Sequence, residues 1–228
     1  MAPLLALTDS IGIKFKNPKL LEQAFVHRSY LNEVKQNLSS NERLEFLGDS
    51  ILSFIISIFL FERRPSDAEG DLTNLRSYIV KTKSLAEAAQ NLKLGEYLLM
   101  SKGEEMSGGR TNPQLLANTF ESFLGAIFLD QGLIAAQKLV DSTLLPLFQQ
   151  EIKKGPPKDA KSQLQETVQE NTKQSPKYKI LQTSGPDHAK LFTVGVFIQG
   201  KETGKGTGLS KQIAEEQAAQ QALEKLSS

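Results

Sequence analysis

Three carboxylates in the segment 41–61 have a spacing that could build a metal-ion site. Glu42, Glu45 and Asp49 stand at positions i, i+3 and i+7, which places them along one stripe of a helix. Like charges on one stripe repel, and their burial is costly unless a cation lies between them. A divalent cation is the simplest compensation. The alternative is a solvated acidic face at a helix N-terminus, where acids also complement the helix dipole. Asp49 argues against that alternative, because it lies two turns in, beside an apolar run.

A second pair of oxygen-bearing side chains interrupts the apolar segment 114–129. Asn118 and Glu121 are three residues apart and share a helical face. If this helix packs beside the first, they converge with Glu45 and Asp49. Carboxylate and amide oxygens suit Mg²⁺, with Mn²⁺ as a possible substitute, rather than zinc. A divalent ion on such a cluster can hydrolyse a phosphodiester without a His, Ser or Cys nucleophile.

Two long buried helices, over 41–61 and 114–129, must position these side chains. Further helices are predicted over 17–30, 72–90 and 130–148, so the first part of the chain is expected to be all-α. The uncharged run within 41–61 is too short to span a bilayer, and it predicts a core helix and no membrane segment.

Composition limits the possible classes of protein. The chain has 228 residues, of which 39% are hydrophobic and 23% charged, as expected of a soluble protein with one or two domains. The net charge of +1 does not by itself indicate nucleic acid. The absence of cysteine excludes disulfides and thiol catalysis.

The N-terminus lacks the pattern of a signal peptide, so a cytoplasmic location is expected. The Gly-rich segment 101–113 lacks the context of a nucleotide-binding loop, and no organic cofactor is expected.

The pattern changes after a charged segment rich in Gly and Pro. We predict a first domain over 1–152, a linker over 153–158 and a second domain over 159–228. The second domain is expected to be a small α+β unit with the order α-β-β-β-α. Its helices and strands are predicted at 159–171, 178–182, 191–199, 201–207 and 211–226.

Five short motifs in both parts of the chain resemble one known family. The sequence NERLEFLGDS at 41–50 resembles the signature of bacterial ribonuclease III, and LANTFESFLGAIFLD at 116–130 resembles its second acidic motif. The tail resembles a double-stranded-RNA-binding domain through residues 163–166, 185–188 and 210–211. The order and spacing of these motifs agree across nearly the whole chain.

The resemblance implies a divalent-metal-dependent endoribonuclease. Such an enzyme hydrolyses both strands of duplex RNA to 5′-phosphate and 3′-hydroxyl ends with short 3′ overhangs, in the processing of rRNA and mRNA. It implies that loss of Asp49 or Glu121 abolishes cleavage. Glu45 is then a further metal ligand, and Glu42 binds another ion or helps to hold the RNA. Two strands need two sites, which points to a homodimer. The ordinary role of Phe46 is in the core, whereas the resemblance implies that it fills a pocket on the partner subunit.

One position departs from the family pattern. The second motif usually carries Asp where this chain has Asn118. An amide oxygen can still hold a metal ion or a metal-bound water, but it brings no charge. We therefore expect a site with weaker or altered metal affinity. The alternative is a catalytically weakened or inactive dimer that binds double-stranded RNA.

Five residues of the tail are candidates for RNA contact. The resemblance implies that Gln165 and Glu166 lie in one minor groove and His188 in another, while Ser210 and Lys211 meet phosphates at a helix N-terminus. Each alone is more often a plain surface residue, but their ordered occurrence favours an RNA-binding surface.

Overall fold

The chain forms two compact units in a computed structural model, which describes residues 2–34, 38–155, 159–186 and 190–226. The units span Met1–Pro156 and Pro157–Ser228. The first is helical, and the second is a three-stranded antiparallel sheet with two helices. The predicted fold class is confirmed.

Nine helices make up the described part of the first unit. They are α1 (Ala2–Ser10), α2 (Pro18–Ala24), α3 (Glu42–Arg63), α4 (Glu69–Ile79), α5 (Thr82–Asn91), α6 (Lys102–Met106), α7 (Pro113–Gln131), α8 (Leu133–Thr143) and α9 (Gln149–Lys154). Short 3-10 turns lie at Arg28–Asn32, Leu94–Tyr97, Gly109–Thr111 and Leu145–Phe148.

The core of this unit is built around α3 and α7, the two helices that the sequence predicts as buried. Leu52 and Ile56 of α3 and Phe120 and Phe123 of α7 are fully buried, and removal of their apolar surface from water drives the packing. By length and composition alone, α3 could also cross a membrane, and no other helix in the described ranges could. Core helices of globular proteins meet the same criterion.

Two of the other predicted helices, over 72–90 and 130–148, are broken. The segment 72–90 forms α4 and α5, because Lys81 leaves the helical conformation with φ −65° and ψ 152°. The break lets Ile79 and Leu85 both turn into the core. The segment 130–148 breaks at Gly132, whose φ of 84° is one that glycine adopts without strain. The helix predicted over 17–30 is also shorter in the structure, because α2 ends at Ala24 and a 3-10 turn follows.

The predicted linker begins with ordered structure. Helix α9 extends to Lys154, and the Arg64 guanidinium fastens its end to α3. The Arg64 Nη1 donates to the carbonyls of Ile152 and Lys153 at 2.9 and 2.8 Å, while Nε pairs with Asp67 at 2.7 Å. Residues 156–158 lie outside the described ranges.

The second unit has the predicted order of elements. These are α10 (Ala160–Thr172), β1 (Lys177–Ser184), β2 (Leu191–Ile198), β3 (Lys201–Gly208) and α11 (Lys211–Leu226), with the strands in the order β1-β2-β3. Helix α11 lies close on β3 because small residues meet there. A Cβ on Gly206 would stand 2.3 Å from the Ala214 carbonyl oxygen.

Candidate active site

Helices α3 and α7 cross where each carries a glycine. A Cβ on Gly48 would lie 1.8 Å from the Glu121 carbonyl oxygen, and a Cβ on Gly125 would lie 2.3 Å from the Leu44 carbonyl oxygen. No side chain fits between the two backbones at this point. The crossing therefore brings Asp49, the neighbour of Gly48, to the same place as Glu121.

An acidic cavity of about 660 Å³ opens at this crossing, and we call it the acid cavity. Every residue predicted to bind metal or to take part in catalysis lines it: Glu42, Glu45, Asp49, Asn118 and Glu121. The convergence of the two helices that the sequence predicts is therefore present. Asp49 is solvent-exposed, contrary to the reasoning that its depth in the helix would shield it from solvent.

The carboxylates in the acid cavity are close enough to raise one another's pKa. Burial, and then the charges of Asp49 and Glu45, raise the pKa of Glu121 to about 8. The pKa of Glu45 is also raised, first by burial and then by Glu42 and Asp49. Without a cation, this cluster thus holds its charges at a cost in free energy.

The donors in the acid cavity suit a hard divalent ion, because all of them offer oxygen. Within the described ranges, no group of three or more His, Cys, Asp or Glu side chains is already arranged around one point. The carboxylates would therefore leave part of an ion's coordination shell to water or substrate. Mg²⁺ commonly binds in this way, through one or two carboxylates and several waters. The residues fit such an ion.

Two of the predicted site residues are engaged by neighbours. The Asn118 Oδ1 accepts a hydrogen bond from Gln114 Nε2 at 2.7 Å, so a metal ion would have to displace or share this contact. Glu42 is exposed and accepts a hydrogen bond from Ser40 Oγ at 2.8 Å. The other Glu42 oxygen lies 3.8 Å from Arg28 Nη1. Glu42 thus lies at the rim of the acid cavity.

Sequence reasoning missed three ionisable residues of the acid cavity: His27, Arg28 and Glu104. His27 is half-buried. It reaches the cavity because Val26 forms an isolated bridge with Leu99, a long-range pairing without a signal in local sequence. Glu104 lies in α6, within the segment predicted as a Gly-rich loop.

A buried polar network holds the helices behind the acid cavity. The carbonyl of Ala24, at the end of α2, accepts hydrogen bonds from Ser122 Oγ at 2.7 Å and from Asn41 Nδ2 at 3.3 Å. Asn41 N–H donates to the Val26 carbonyl at 2.8 Å. These bonds join α2, the start of α3 and the middle of α7, so the cavity wall is a rigid part of the fold.

Phe46 lies at the mouth of the acid cavity and is not a core residue. Its side chain is 78% exposed. Phe54, Ile58 and Phe61 are 49%, 40% and 74% exposed, and their spacing from Phe46 places all four on one side of α3. We call these four residues the α3 apolar face.

In the second unit, the predicted RNA-contacting residues lie on the surface wherever the structure describes them. Gln165 and Glu166 are exposed on α10, and Lys211 is exposed at the start of α11. Ser210 Oγ accepts from Ile213 N–H at 3.2 Å and caps α11. His188 lies outside the described residues.

Comparison with known proteins agrees with both parts of the chain. A family model described as Ribonuclease-III-like matches residues 17–147, and one described as Double-stranded RNA binding motif matches residues 160–226. Ribonuclease 3 of Geobacillus kaustophilus is 48% identical over 224 residues, which are 96% of this chain and 89% of that protein. Ribonuclease 3 of Pelotomaculum thermopropionicum is 46% identical over 223 residues, which are 97% and 92% of the two chains.

A solved structure gives the same result for the first unit. The nuclease domain of ribonuclease III from Campylobacter jejuni matches with a TM-score of 0.60 and 37% identity, over 65% of this chain and 98% of that one. Enzymes of this family depend on divalent metal ions in general. The similar proteins are named as ribonucleases, which gives no support to the alternative of an inactive RNA-binding dimer. The chain belongs to the ribonuclease III family and is an endoribonuclease that acts on double-stranded RNA.

Proposed function

We propose that this protein hydrolyses both strands of duplex RNA at the acid cavity and leaves 5′-phosphate and 3′-hydroxyl ends with short 3′ overhangs. The observation that carries the proposal is the meeting of Asp49 and Glu121 at the crossing of α3 and α7. Glu45 adds a further carboxylate to the same wall. The cavity is open to solvent through the exposed Asp49, so an RNA strand can reach it.

We assign Glu45, Asp49, Asn118 and Glu121 to a divalent ion, Mg²⁺ or its substitute Mn²⁺. When bound, such an ion supplies a nucleophilic water and neutralises charge on the phosphate. Asp49 and Glu121 contribute full charges from opposite helices, and Asn118 contributes a neutral amide oxygen. Glu42, at the rim, is assigned to a second ion or to the RNA.

The α3 apolar face supports a homodimer. Four large apolar side chains exposed on one helix are an unusual surface for a monomer. A structure of the Campylobacter jejuni nuclease domain concerns a region involved in dimer formation. Because each chain has one acid cavity and duplex RNA has two strands, we propose that a second copy covers this face, with Phe46 in a pocket of the partner subunit.

The second unit supplies binding to the duplex. We propose that it reads the A-form shape of RNA rather than its sequence, through Gln165 and Glu166 on α10, His188, and Ser210 and Lys211 at the start of α11. Gln165 borders a cavity of about 670 Å³ together with Gln212 of α11. Gln165 and the first turn of α11 thus border the same cavity, which supports a binding surface formed by both helices.

The proposed function also includes the bounds of the two domains and the place where the protein acts. We propose the bounds 1–152 and 159–228 with a linker at 153–158, of which Lys153 and Lys154 end α9. Limited proteolysis tests these bounds. The protein acts in the cytoplasm on rRNA and mRNA precursors, with no membrane and no organic cofactor.

A cleavage assay on a long RNA duplex tests the function. With Mg²⁺, the wild-type protein should release short duplexes whose 5′ ends accept no further phosphate until they are dephosphorylated. Asp49→Asn should abolish cleavage while it retains binding to the duplex, because only a charge is removed. Asp9→Asn, in α1, is the matched control and should cleave normally. Cleavage that persists in Asp49→Asn, or in chelator, would contradict the proposal.

A further inference from the structure

A hydrogen-bond chain fixes the imidazole of His27. Ser101 N–H donates to Ser29 Oγ at 2.9 Å, and this Oγ lies 2.8 Å from His27 Nδ1. Since Ser29 Oγ accepts from Ser101, its own hydrogen is available to Nδ1. Ser29 N–H also donates to Nδ1, at 3.4 Å. Nδ1 is thus an acceptor from two donors, and the neutral ring carries its hydrogen on Nε2.

The Nε2–H of His27 has no acceptor within the described ranges. The ring borders the acid cavity. Its backbone is held at both sides, because His27 N–H donates to the Leu99 carbonyl at 2.9 Å and Tyr30 N–H donates to the His27 carbonyl at 3.0 Å. The fold therefore presents an oriented, unused N–H donor beside the carboxylates.

We propose that His27 is a phosphate-positioning residue, whose Nε2–H donates to a non-bridging phosphate oxygen of the RNA strand in the acid cavity. The inference rests on the proposed function. A phosphodiester that enters a cavity lined by carboxylates is repelled by them, and it needs donors that do not depend on the ion. Arg28 is turned toward Glu42, at 3.8 Å, whereas His27 is already oriented. Donation to a charged oxygen gives a strong hydrogen bond.

Two substitutions separate this role from a structural one. His27→Asn keeps an acceptor near Nδ1 for the contacts with Ser29 but cannot reach the position of Nε2. His27→Gln reaches that position with an N–H donor but gives up the contacts with Ser29. If His27 had only a structural role, His27→Asn would cleave RNA more like the wild type than His27→Gln does. If His27 binds the phosphate, His27→Gln would be the closer of the two.

The experiment measures kcat, KM and melting temperature for the wild type and both variants on one RNA duplex with Mg²⁺. We expect His27→Asn to raise KM at least about tenfold, as for loss of one hydrogen bond to a charged group. His27→Gln should recover most of that loss while it melts at a lower temperature than His27→Asn. KM values that follow melting temperature, or that match the wild type in both variants, would overturn the inference.

A second readout does not depend on cleavage. Nitrogen-15 NMR of the histidine rings, assigned with His27→Asn, should show the Nε2–H form for His27 in the neutral ring. An Nδ1–H form would overturn the inference and leave the proposed function intact. If the wild type did not cleave RNA, the proposed function would be contradicted instead. Failure of the inference about His27 can therefore be distinguished from failure of the proposed function.

Discussion

The backbone of Gly48 lies against the backbone carbonyl of Glu121, so closely that a Cβ on Gly48 would stand 1.8 Å from that oxygen. The glycine in the middle of the acidic stripe is therefore what lets the two helices meet. It sets the distance between the carboxylates on either side of the crossing. Together with the matching contact of Gly125 against the Leu44 carbonyl, it determines the geometry of the site.

Gly48→Ala should destabilise the protein and reduce cleavage together. The obstacle is a backbone atom that cannot rotate away, so we expect a loss of about 3 kcal/mol in the free energy of unfolding, at the upper end of the usual cost of overpacking. Urea unfolding of the variant measures it. Gly70→Ala is the matched control, because nothing lies within 4 Å of its added Cβ, and it should be neutral or stabilising by up to about 1 kcal/mol. Equal stability of the two variants would contradict the tight crossing.

The meeting of the oxygen-bearing side chains in the acid cavity could be predicted from the sequence, but their surroundings could not. The spacing of Glu45 and Asp49 identified one face of a helix, and an interrupted apolar run identified Glu121 on another. The place of His27 depends on the long-range bridge between Val26 and Leu99, which leaves no periodic pattern in the local sequence. Glu104 was missed because a short helix within a Gly-rich segment has too few residues to show periodicity.

Metal binding should release a proton from Glu121. The pKa of this group is raised from 4.5 to about 8 without a cation, so the metal-free protein holds the proton at neutral pH. Calorimetric titration with Mg²⁺ at pH 7, in two buffers of different ionisation enthalpy, should show this release, and affinity should rise toward pH 8. Glu121→Gln should show no such release. A binding enthalpy independent of buffer in the wild type would contradict the prediction.

The raised pKa of Glu121 also affects the stability of the folded protein. A carboxyl group whose pKa is higher in the folded protein favours folding at pH below its unfolded value and loses that contribution as pH rises. The metal-free protein should therefore lose stability between pH 4.5 and about 8 through Glu121. Thermal melting across this range, with and without Mg²⁺, tests it. Mg²⁺ should reverse the loss in the wild type, whereas Glu121→Gln should lack this loss even without Mg²⁺.

Asn118→Asp should strengthen metal binding. It adds a charge to the ligand set, and we expect the dissociation constant for Mg²⁺ to fall about tenfold. Gln114→Ala frees the Asn118 oxygen from its hydrogen bond. An exposed hydrogen bond between side chains four residues apart on a helix contributes about 0.5 kcal/mol, so the dissociation constant for Mg²⁺ should fall only about twofold in Gln114→Ala. Calorimetry measures both. An unchanged constant in Asn118→Asp would place position 118 outside the coordination of the ion.

Lys211→Ala should weaken binding to duplex RNA and lower its salt dependence. Loss of one phosphate contact reduces the slope of log affinity against log salt by about 1. Fluorescence anisotropy at several salt concentrations measures this slope. Lys225→Ala, at the other end of α11, is the control and should keep the wild-type slope. Equally tight binding of duplex DNA would contradict recognition of A-form shape.

Phe46→Ala should weaken the homodimer without unfolding the chain. The side chain is 78% exposed in the single chain, so its truncation costs little there. An aromatic residue buried in a partner's pocket typically contributes 2 kcal/mol or more, so the dimer dissociation constant should rise roughly thirtyfold. Light scattering and sedimentation over a range of protein concentrations measure it. Ile134→Ala removes an equally exposed apolar group from α8 and should leave the dimer intact. A wild-type protein that remains monomeric at micromolar concentration would remove the basis of this prediction.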